Sequence, residues 1–193
     1  MKVWLQGLLI ALAGLMFNGS VLAQKDSFGL FSSFDSVKIY YEVKGSGKPV
    51  LLIHGFTGQG SDWNRKPVYD SLLAQGYKVI TADLRGNGRS GKPHNPGAYA
   101  KDAEARDLLA LLGHLGIKQY AAIGYSRGAI ILARLMVLDK DLSTAVLGGI
   151  GADFTNPMWP RRIAIYEALI SDTSQAYGGL KKRIEKSVSS DVC

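Results

Sequence analysis

The heptapeptide IGYSRGA, residues 123–129, places Ser126 between Gly124 and Gly128 at the end of an apolar run. The residues before it have the pattern of a buried strand, and residues 128–138 have the pattern of a helix that is apolar on nearly every side. A serine in so sharp a strand-to-helix turn needs a strained backbone, and small neighbours allow the helix and the strand to pack closely. We therefore expect Ser126 to have a positive φ angle and to present its hydroxyl above the carboxyl edge of a sheet.

Strand and helix patterns alternate through most of the chain, at a spacing that predicts an α/β fold. Continuously apolar runs such as VLLI, residues 50–53, fit strands that are buried on both faces of a sheet. The sequence thus predicts a mostly parallel sheet of six strands whose first pair is antiparallel. The predicted strands are 28–34, 37–43, 49–55, 77–86, 119–126 and 143–151, and the predicted helices are 61–76, 98–116 and 128–138.

Three glycine-containing motifs lie at the C-terminal ends of three of these strands, namely HGF at 54–56, DLRGNGRS at 83–90 and GYSRG at 124–128. With these motifs in this order, the chain resembles the α/β-hydrolase fold family, and the resemblance extends from about Phe28 to Ile170. It implies that Ser126 is the nucleophile of a serine hydrolase. A serine rather than an aspartate at this position argues against the dehalogenase and epoxide-hydrolase branches and favours ester, thioester, lactone or related acyl substrates.

The same resemblance implies that the backbone N–H groups of Phe56 and Arg127 form an oxyanion hole. Acyl transfer builds negative charge on the substrate oxygen, and each preorganised donor there contributes about 3–4 kcal/mol. The donor of Arg127 would also lie at a helix N-terminus, where the helix dipole favours negative charge. In this interpretation His54 and Gly55 shape the loop beside the oxyanion hole.

A serine hydroxyl needs a base, which is usually a histidine oriented by a carboxylate. The family order is serine, acid and then histidine, but the three histidines of this chain, His54, His94 and His114, all precede Ser126. His54 is a candidate base with a loop-shaping role as the alternative, His94 lies in a polar loop, and His114 is interpreted as a helix-surface or core residue. Asp153 is a candidate acid, with helix capping as its alternative.

The segment after Gly151, ADFTNPMWPRRIAIYEALI, resembles the beginning of a helical lid. We interpret residues 24–152 as the hydrolase core and residues 153–193 as part of the lid, with the C-terminal strands that carry the acid and the histidine missing from this chain. Two function classes stay open, namely a serine hydrolase encoded here in part and a non-catalytic domain that binds small molecules in the same pocket. A histidine-bearing continuation beyond Cys193 would discriminate between them.

The N-terminal segment has the pattern of a signal peptide, with Lys2 followed by an apolar stretch at 8–17 and small residues at the end. We predict cleavage after residues 1–23 and export of a chain that begins at Gln24, which the intact mass of the exported protein tests. An uncleaved anchor is the alternative, although the apolar stretch is shorter than the roughly 20 residues of a membrane span. The single cysteine, Cys193, allows no internal disulfide.

Composition limits the other classes of function. The formal net charge is +7, but the only basic run that stands out is LKKRIEK at 180–186, and no basic stretch alternates with aromatic residues, so nucleic-acid binding is not indicated. No metal-ligand spacing occurs, and the glycine loops do not match a phosphate-binding pattern. The sequence therefore predicts no cofactor and a small-molecule acyl substrate as the partner.

Overall fold

The computed structural model describes residues 26–151 together with Asp153, Asn156, Met158 and Lys182. The predicted signal peptide, 1–23, and most of the predicted lid lie outside the described residues, so both stay predictions. Among the helices that the structure describes, none is long and apolar enough to cross a membrane.

Six strands and three α-helices form the described part of the chain, in the order that the sequence predicts. They are β1 Ser27–Ser32, β2 Lys38–Lys44, β3 Pro49–Ile53, α1 Pro67–Ala74, β4 Lys78–Ala82, α2 Ala103–His114, β5 Tyr120–Tyr125, α3 Arg127–Leu138 and β6 Leu142–Gly148. Two short 3-10 helices, Gly60–Arg65 and Pro96–Tyr99, precede α1 and α2.

Two of the predicted helices are shorter than expected. The prediction for 61–76 divides at Lys66, because Pro67 is the first residue of α1, a position where its missing N–H is not needed. Helix α2 begins at Ala103 rather than near residue 98, because Lys101 and Asp102 have φ angles of 54° and 59°, which no helix interior accommodates.

The strand order is β1-β2-β4-β3-β5-β6, and the three pairs that involve β3 and β5 are parallel. This confirms the mostly parallel sheet and the antiparallel first pair, β1 with β2. A second antiparallel pair, β2 with β4, was not predicted. Because the carboxyl ends of parallel strands meet at one edge, the loops after β3, β4 and β5 lie together there.

The core has two parts, one on each face of the sheet. Alternate residues of β3 point to opposite faces, so that Leu51 and Ile53 pack with α2 and α3 whereas Val50 and Leu52 pack with α1. One side of α2 is apolar and packs on the sheet, since Leu108, Leu111 and Leu112 are buried. Burial on both faces explains why β3 is apolar throughout.

A buried charge cluster fixes the loop after β4 to α2. The Arg85 guanidinium is fully buried and donates to both carboxylate oxygens of Asp107 at 2.6 Å. It also donates to Asp35 at 2.9 Å and to the carbonyl oxygen of Ala98. Because every one of these bonds joins distant parts of the sequence, the cluster holds the loop of the DLRGNGRS motif against the fold.

Candidate active site

Ser126 forms the turn between β5 and α3, with φ 54° and ψ −118°, and this confirms the predicted positive φ. Its N–H donates to the carbonyl oxygen of Gly148 at 2.8 Å. A Cβ on Gly124 would collide with the carbonyl oxygen of Gly128, and a Cβ on Gly128 would collide with that of Ile53. The two glycines are therefore required by the close packing of α3 on β3 and β5, as the sequence predicts.

The turn that follows β3 lies directly against the serine. An ideal Cβ on Gly55 would be 3.5 Å from the Cβ of Ser126. The turn is fixed by Asn87, whose side-chain amide donates to the carbonyl oxygen of Phe56 at 2.9 Å and to a second carbonyl of the same turn at 3.0 Å. No hydrogen bond between described residues uses the N–H of Phe56 or that of Arg127, the two predicted oxyanion donors.

His54 is buried and uses both ring nitrogens. Its Nδ1 contacts the carbonyl oxygen of Gly55 at 2.7 Å, and its Nε2 accepts from the N–H of Leu84 at 3.0 Å, an arrangement in which Nδ1 carries the proton. Burial lowers the pKa of His54 below its ordinary value. This bonding ties the turn after β3 to the loop after β4, and it supports the loop-shaping alternative rather than a role as base.

None of the other candidates lines the cleft that contains Ser126. His94 is exposed in the loop before α2, and His114 is exposed at the end of α2, where its ring stacks on Phe31 with 5.3 Å between centroids. Neither lines the cleft at Ser126. Asp153 is exposed, and its carbonyl oxygen accepts from the N–H of Asn156 at 2.9 Å. The described residues thus bring no histidine with a free ring nitrogen to the serine.

A cleft of about 890 Å³ opens beside Ser126. Its walls include the aromatic side chains of Phe56, Trp63 and Tyr125 and the charged side chains of Asp62 and Arg65, which form an ion pair at 2.7 Å. This volume accommodates a small organic substrate. Among the described residues, no group of three or more acidic, histidine or cysteine side chains could hold a metal ion.

An ion pair beside the elbow, the strand-to-helix turn at residues 124–128, was not predicted from the sequence. The Arg127 side chain donates to Oε2 of Glu104 at 2.8 Å, and the centre of its guanidinium lies 5.3 Å from the centre of the Phe56 ring. The other carboxylate oxygen of Glu104, Oε1, is buried and has no hydrogen-bond partner among the described residues. Burial raises the pKa of Glu104 above its ordinary value. In the sequence analysis, Arg127 was a candidate for its backbone N–H alone.

Comparison with known families agrees with this fold. The sequence profile described as the alpha/beta hydrolase fold matches residues 48–165, which is more than half of the chain. The chain therefore belongs to the alpha/beta hydrolase fold family.

Individual relatives cover part of the chain only. A protein named putative non-heme chloroperoxidase, from Synechocystis sp., is 40% identical over 48% of this chain and 32% of its own length. The chain spans about a third of the length of the first curated relatives that it matches. Among solved structures, an esterase from Exiguobacterium antarcticum has a TM-score of 0.57 and 28% identity, over 63% of this chain and 44% of its own. The epoxide hydrolase VrEH1 from Vigna radiata has a TM-score of 0.63 and 25% identity, over 76% and 47%.

Proposed function

We propose that this chain is the nucleophile-bearing part of a hydrolase that cleaves esters or related acyl substrates, with Ser126 as the nucleophile. The observation that supports this most directly is the strained turn at Ser126, which packs against the turn after β3. In these two turns, the backbone N–H groups of Phe56 and Arg127 take part in no hydrogen bond between described residues. The Ser126 hydroxyl would attack the substrate carbonyl carbon, and the negative charge that forms on the carbonyl oxygen would be stabilised by the N–H groups of Phe56 and Arg127. The N-terminus of α3 adds a favourable dipole at the same point.

The substrate class follows from the nucleophile and the cleft. A serine at the elbow forms an acyl-enzyme with an ester, thioester or lactone. The aromatic walls of the cleft, Phe56, Trp63 and Tyr125, favour an apolar acyl or alkyl group. The similarity to an esterase structure, at 28% identity, is compatible with this class.

We further propose that the catalytic base is a histidine that residues 1–193 do not include. Each of the three histidines has another place in the fold, with His54 bonded through both nitrogens and His94 and His114 away from the cleft. The same observation favours a second candidate function, a hydrolase-like domain that binds small molecules without turnover. Without a base, the chain alone should hydrolyse activated esters slowly, with the roughly 10³–10⁴-fold acceleration that an oxyanion hole and substrate binding give.

Chemical rescue with imidazole tests the proposal on the chain as it stands. The hydrolysis of p-nitrophenyl acetate is followed with increasing imidazole for the unmodified chain and for Ser126→Ala, which subtracts the direct reaction of imidazole with the ester. We expect a rate dependent on Ser126 that rises by about tenfold or more with imidazole, because an added base contributes about 10²–10⁴-fold when well positioned. An acetyl group on Ser126, located by peptide mass mapping, should accompany it.

Equal rates for the unmodified chain and Ser126→Ala at every imidazole concentration, with no acetyl group on Ser126, would exclude the nucleophile. That result together with saturable binding of a neutral aromatic ester analogue would support the non-catalytic binding domain. Rapid turnover without imidazole that depends on Ser126 would instead point to a base inside the chain, and His54→Gln would then be the first variant to examine.

A further inference from the structure

We propose that Glu104 and the side chain of Arg127 form a positioning pair, which holds the two backbone N–H donors beside Ser126 in a fixed relation to each other. This inference rests on the proposed function, because it concerns the donors that the function needs. Neither side chain has to touch the substrate. Their role is to act on Phe56 and on the elbow.

Arg127 is related to both donors by its position. Its backbone N–H is one of the two donors, and its guanidinium lies at 5.3 Å from the ring of Phe56, whose backbone N–H is the other donor. One residue therefore connects both donors. A cation beside an aromatic face is attracted by the ring quadrupole, so the contact favours one placement of the Phe56 ring relative to α3.

The turn that bears Phe56 is held from two sides. Asn87 donates to the carbonyl oxygen of Phe56 at 2.9 Å, which fixes the backbone from the loop after β4. The ring itself is 51% exposed, and the contact with Arg127 holds it from the side of α3. The guanidinium can keep that place because the carboxylate of Glu104, in the first turn of α2, receives its hydrogen bond at 2.8 Å.

A gain in stability does not explain the pair of Glu104 and Arg127. The side chain of Glu104 is only 16% exposed, and its Oε1 has no partner among the described residues. A buried carboxylate oxygen without a hydrogen bond destabilises the folded state. A charge retained at such a place is more readily explained by what it does to Arg127 than by a gain in stability.

The ionisation of Glu104 allows the pair to be tested by a change of pH, and several charged groups face its carboxyl. They are Arg127 on α3, Arg85 from the loop after β4 and Asp107 on α2 itself, with Tyr99 of the preceding 3-10 helix nearby. Burial is the largest influence on the Glu104 carboxyl, and it raises its pKa above the ordinary 4.5. Protonation of Glu104 as the pH falls should release Arg127 and alter the surroundings of the Phe56 N–H.

The experiment compares the unmodified chain with Glu104→Gln and with Asp102→Asn as a matched control. Asp102 also pairs with an arginine of α3, Arg134, at 2.7 Å, so the control removes a second link between the same two helices. The backbone amide resonances of Phe56 and Arg127 are followed by NMR from neutral to acidic pH. We expect both to move with a midpoint above 4.5 in the unmodified chain and in Asp102→Asn, and this transition to be absent in Glu104→Gln.

The imidazole-rescued rate gives a second readout. Glu104→Gln should lower the maximal rate that depends on Ser126 by about tenfold, with little change in KM, which is less than the roughly 10²–10³-fold effect of removing an oxyanion donor. Arg127→Lys, which keeps a cation for Glu104, should retain more of the rate than Arg127→Met. Asp102→Asn should leave the rate unchanged.

The two proposals fail in different ways. Amide resonances of Phe56 and Arg127 that are the same in Glu104→Gln and the unmodified chain would overturn the positioning pair, whatever the rate. A missing Ser126-dependent rate, with the Phe56 amide still following Glu104, would exclude the proposed chemistry and leave the pair as a device that sets the shape of the binding cleft. A rate that Glu104→Gln leaves unchanged would also overturn the pair.

Discussion

Helix α2 carries two partly or fully buried carboxylates one turn apart, and each binds an arginine from another element, but the two pairs differ in how completely they are bonded. Asp107 accepts three hydrogen bonds, one from the Ser33 hydroxyl at 2.5 Å and two from Arg85 at 2.6 Å. Glu104 accepts one, from Arg127 at 2.8 Å, and its second oxygen has no partner among the described residues.

Because of this difference, Asp107 and Arg85 form a pair that stabilises the fold, whereas a contribution to stability does not explain the pair of Glu104 and Arg127. Buried polar groups favour a unique fold when every hydrogen bond is made, and they oppose folding when one is missing. Asp107 and Arg85 meet the first condition and hold the loop of the DLRGNGRS motif. Glu104 meets the second condition and lies beside the proposed nucleophile, where proteins commonly retain residues that lower stability.

The largest effect on stability is expected from Asp107 and Arg85, the pair whose hydrogen bonds are all made. Asp107→Ala should lower the free energy of unfolding by about 3–5 kcal/mol, because it leaves the fully buried guanidinium of Arg85 with Asp35 as its remaining acidic partner among the described residues. Urea denaturation followed by circular dichroism measures the change. The double variant Arg85→Met, Asp107→Leu should recover part of the loss, since it removes both buried charges. A loss below about 1 kcal/mol in the single variant would show that the cluster is not structural.

Replacement of Glu104 is expected to change the free energy of unfolding by a smaller amount and in the opposite direction. Between the ordinary pKa of 4.5 and its raised value in the folded chain, the folded state binds more protons than the unfolded state, so Glu104 lowers stability as the pH rises through that window. Glu104→Gln removes this loss. We expect its free energy of unfolding at about pH 7 to equal that of the unmodified chain or to exceed it by up to about 1 kcal/mol.

The Arg85 cluster supplies the contrast in pH dependence. The hydrogen bonds from Arg85 hold the pKa of Asp35 below its ordinary 3.8. Its contribution to stability is therefore fully present above 3.8 and is lost as the pH falls through the lower folded value. The contributions of Asp35 and Glu104 are separated by urea denaturation of the unmodified chain and of Glu104→Gln at about pH 4 and about pH 7. The contribution of Asp35 is common to both proteins, so the difference in their stability measures the contribution of Glu104. A clear destabilisation by Glu104→Gln at neutral pH would contradict the comparison.

The elbow could be predicted from the sequence because its geometry is local. A serine between two glycines, after a strand and before a helix, limits the backbone to few conformations, and the positive φ of Ser126 was predicted on that basis. The mostly parallel sheet followed from the alternation of strands and helices. The pairing of β2 with β4 could not be predicted in this way, because register between strands distant in sequence depends on the whole sheet.

The roles of two side chains needed the three-dimensional structure. His54 had two open interpretations until its ring nitrogens were found bonded to Gly55 and Leu84, a residue 30 positions away. Glu104 was not singled out at all, because an acidic residue in the first turn of a helix is ordinary in sequence. Only the packing of α2 against α3 brings it to Arg127.

The smallest effect is expected from the third carboxylate in this region, Asp102, which immediately precedes α2. It pairs with Arg134 of α3 at 2.7 Å, and the two side chains are 36% and 44% exposed. The hydrogen bond from Arg134 lowers the pKa of Asp102, but exposed pairs are screened by salt and contribute little. Asp102→Asn should therefore leave the midpoint of urea unfolding unchanged at physiological salt. A shift of that midpoint as large as the one caused by Asp107→Ala would mean that a charge pair stabilises this chain by linking the two helices. Burial and complete hydrogen bonding would then not determine its contribution, and the contrast between Asp107 and Glu104 would lose its physical basis.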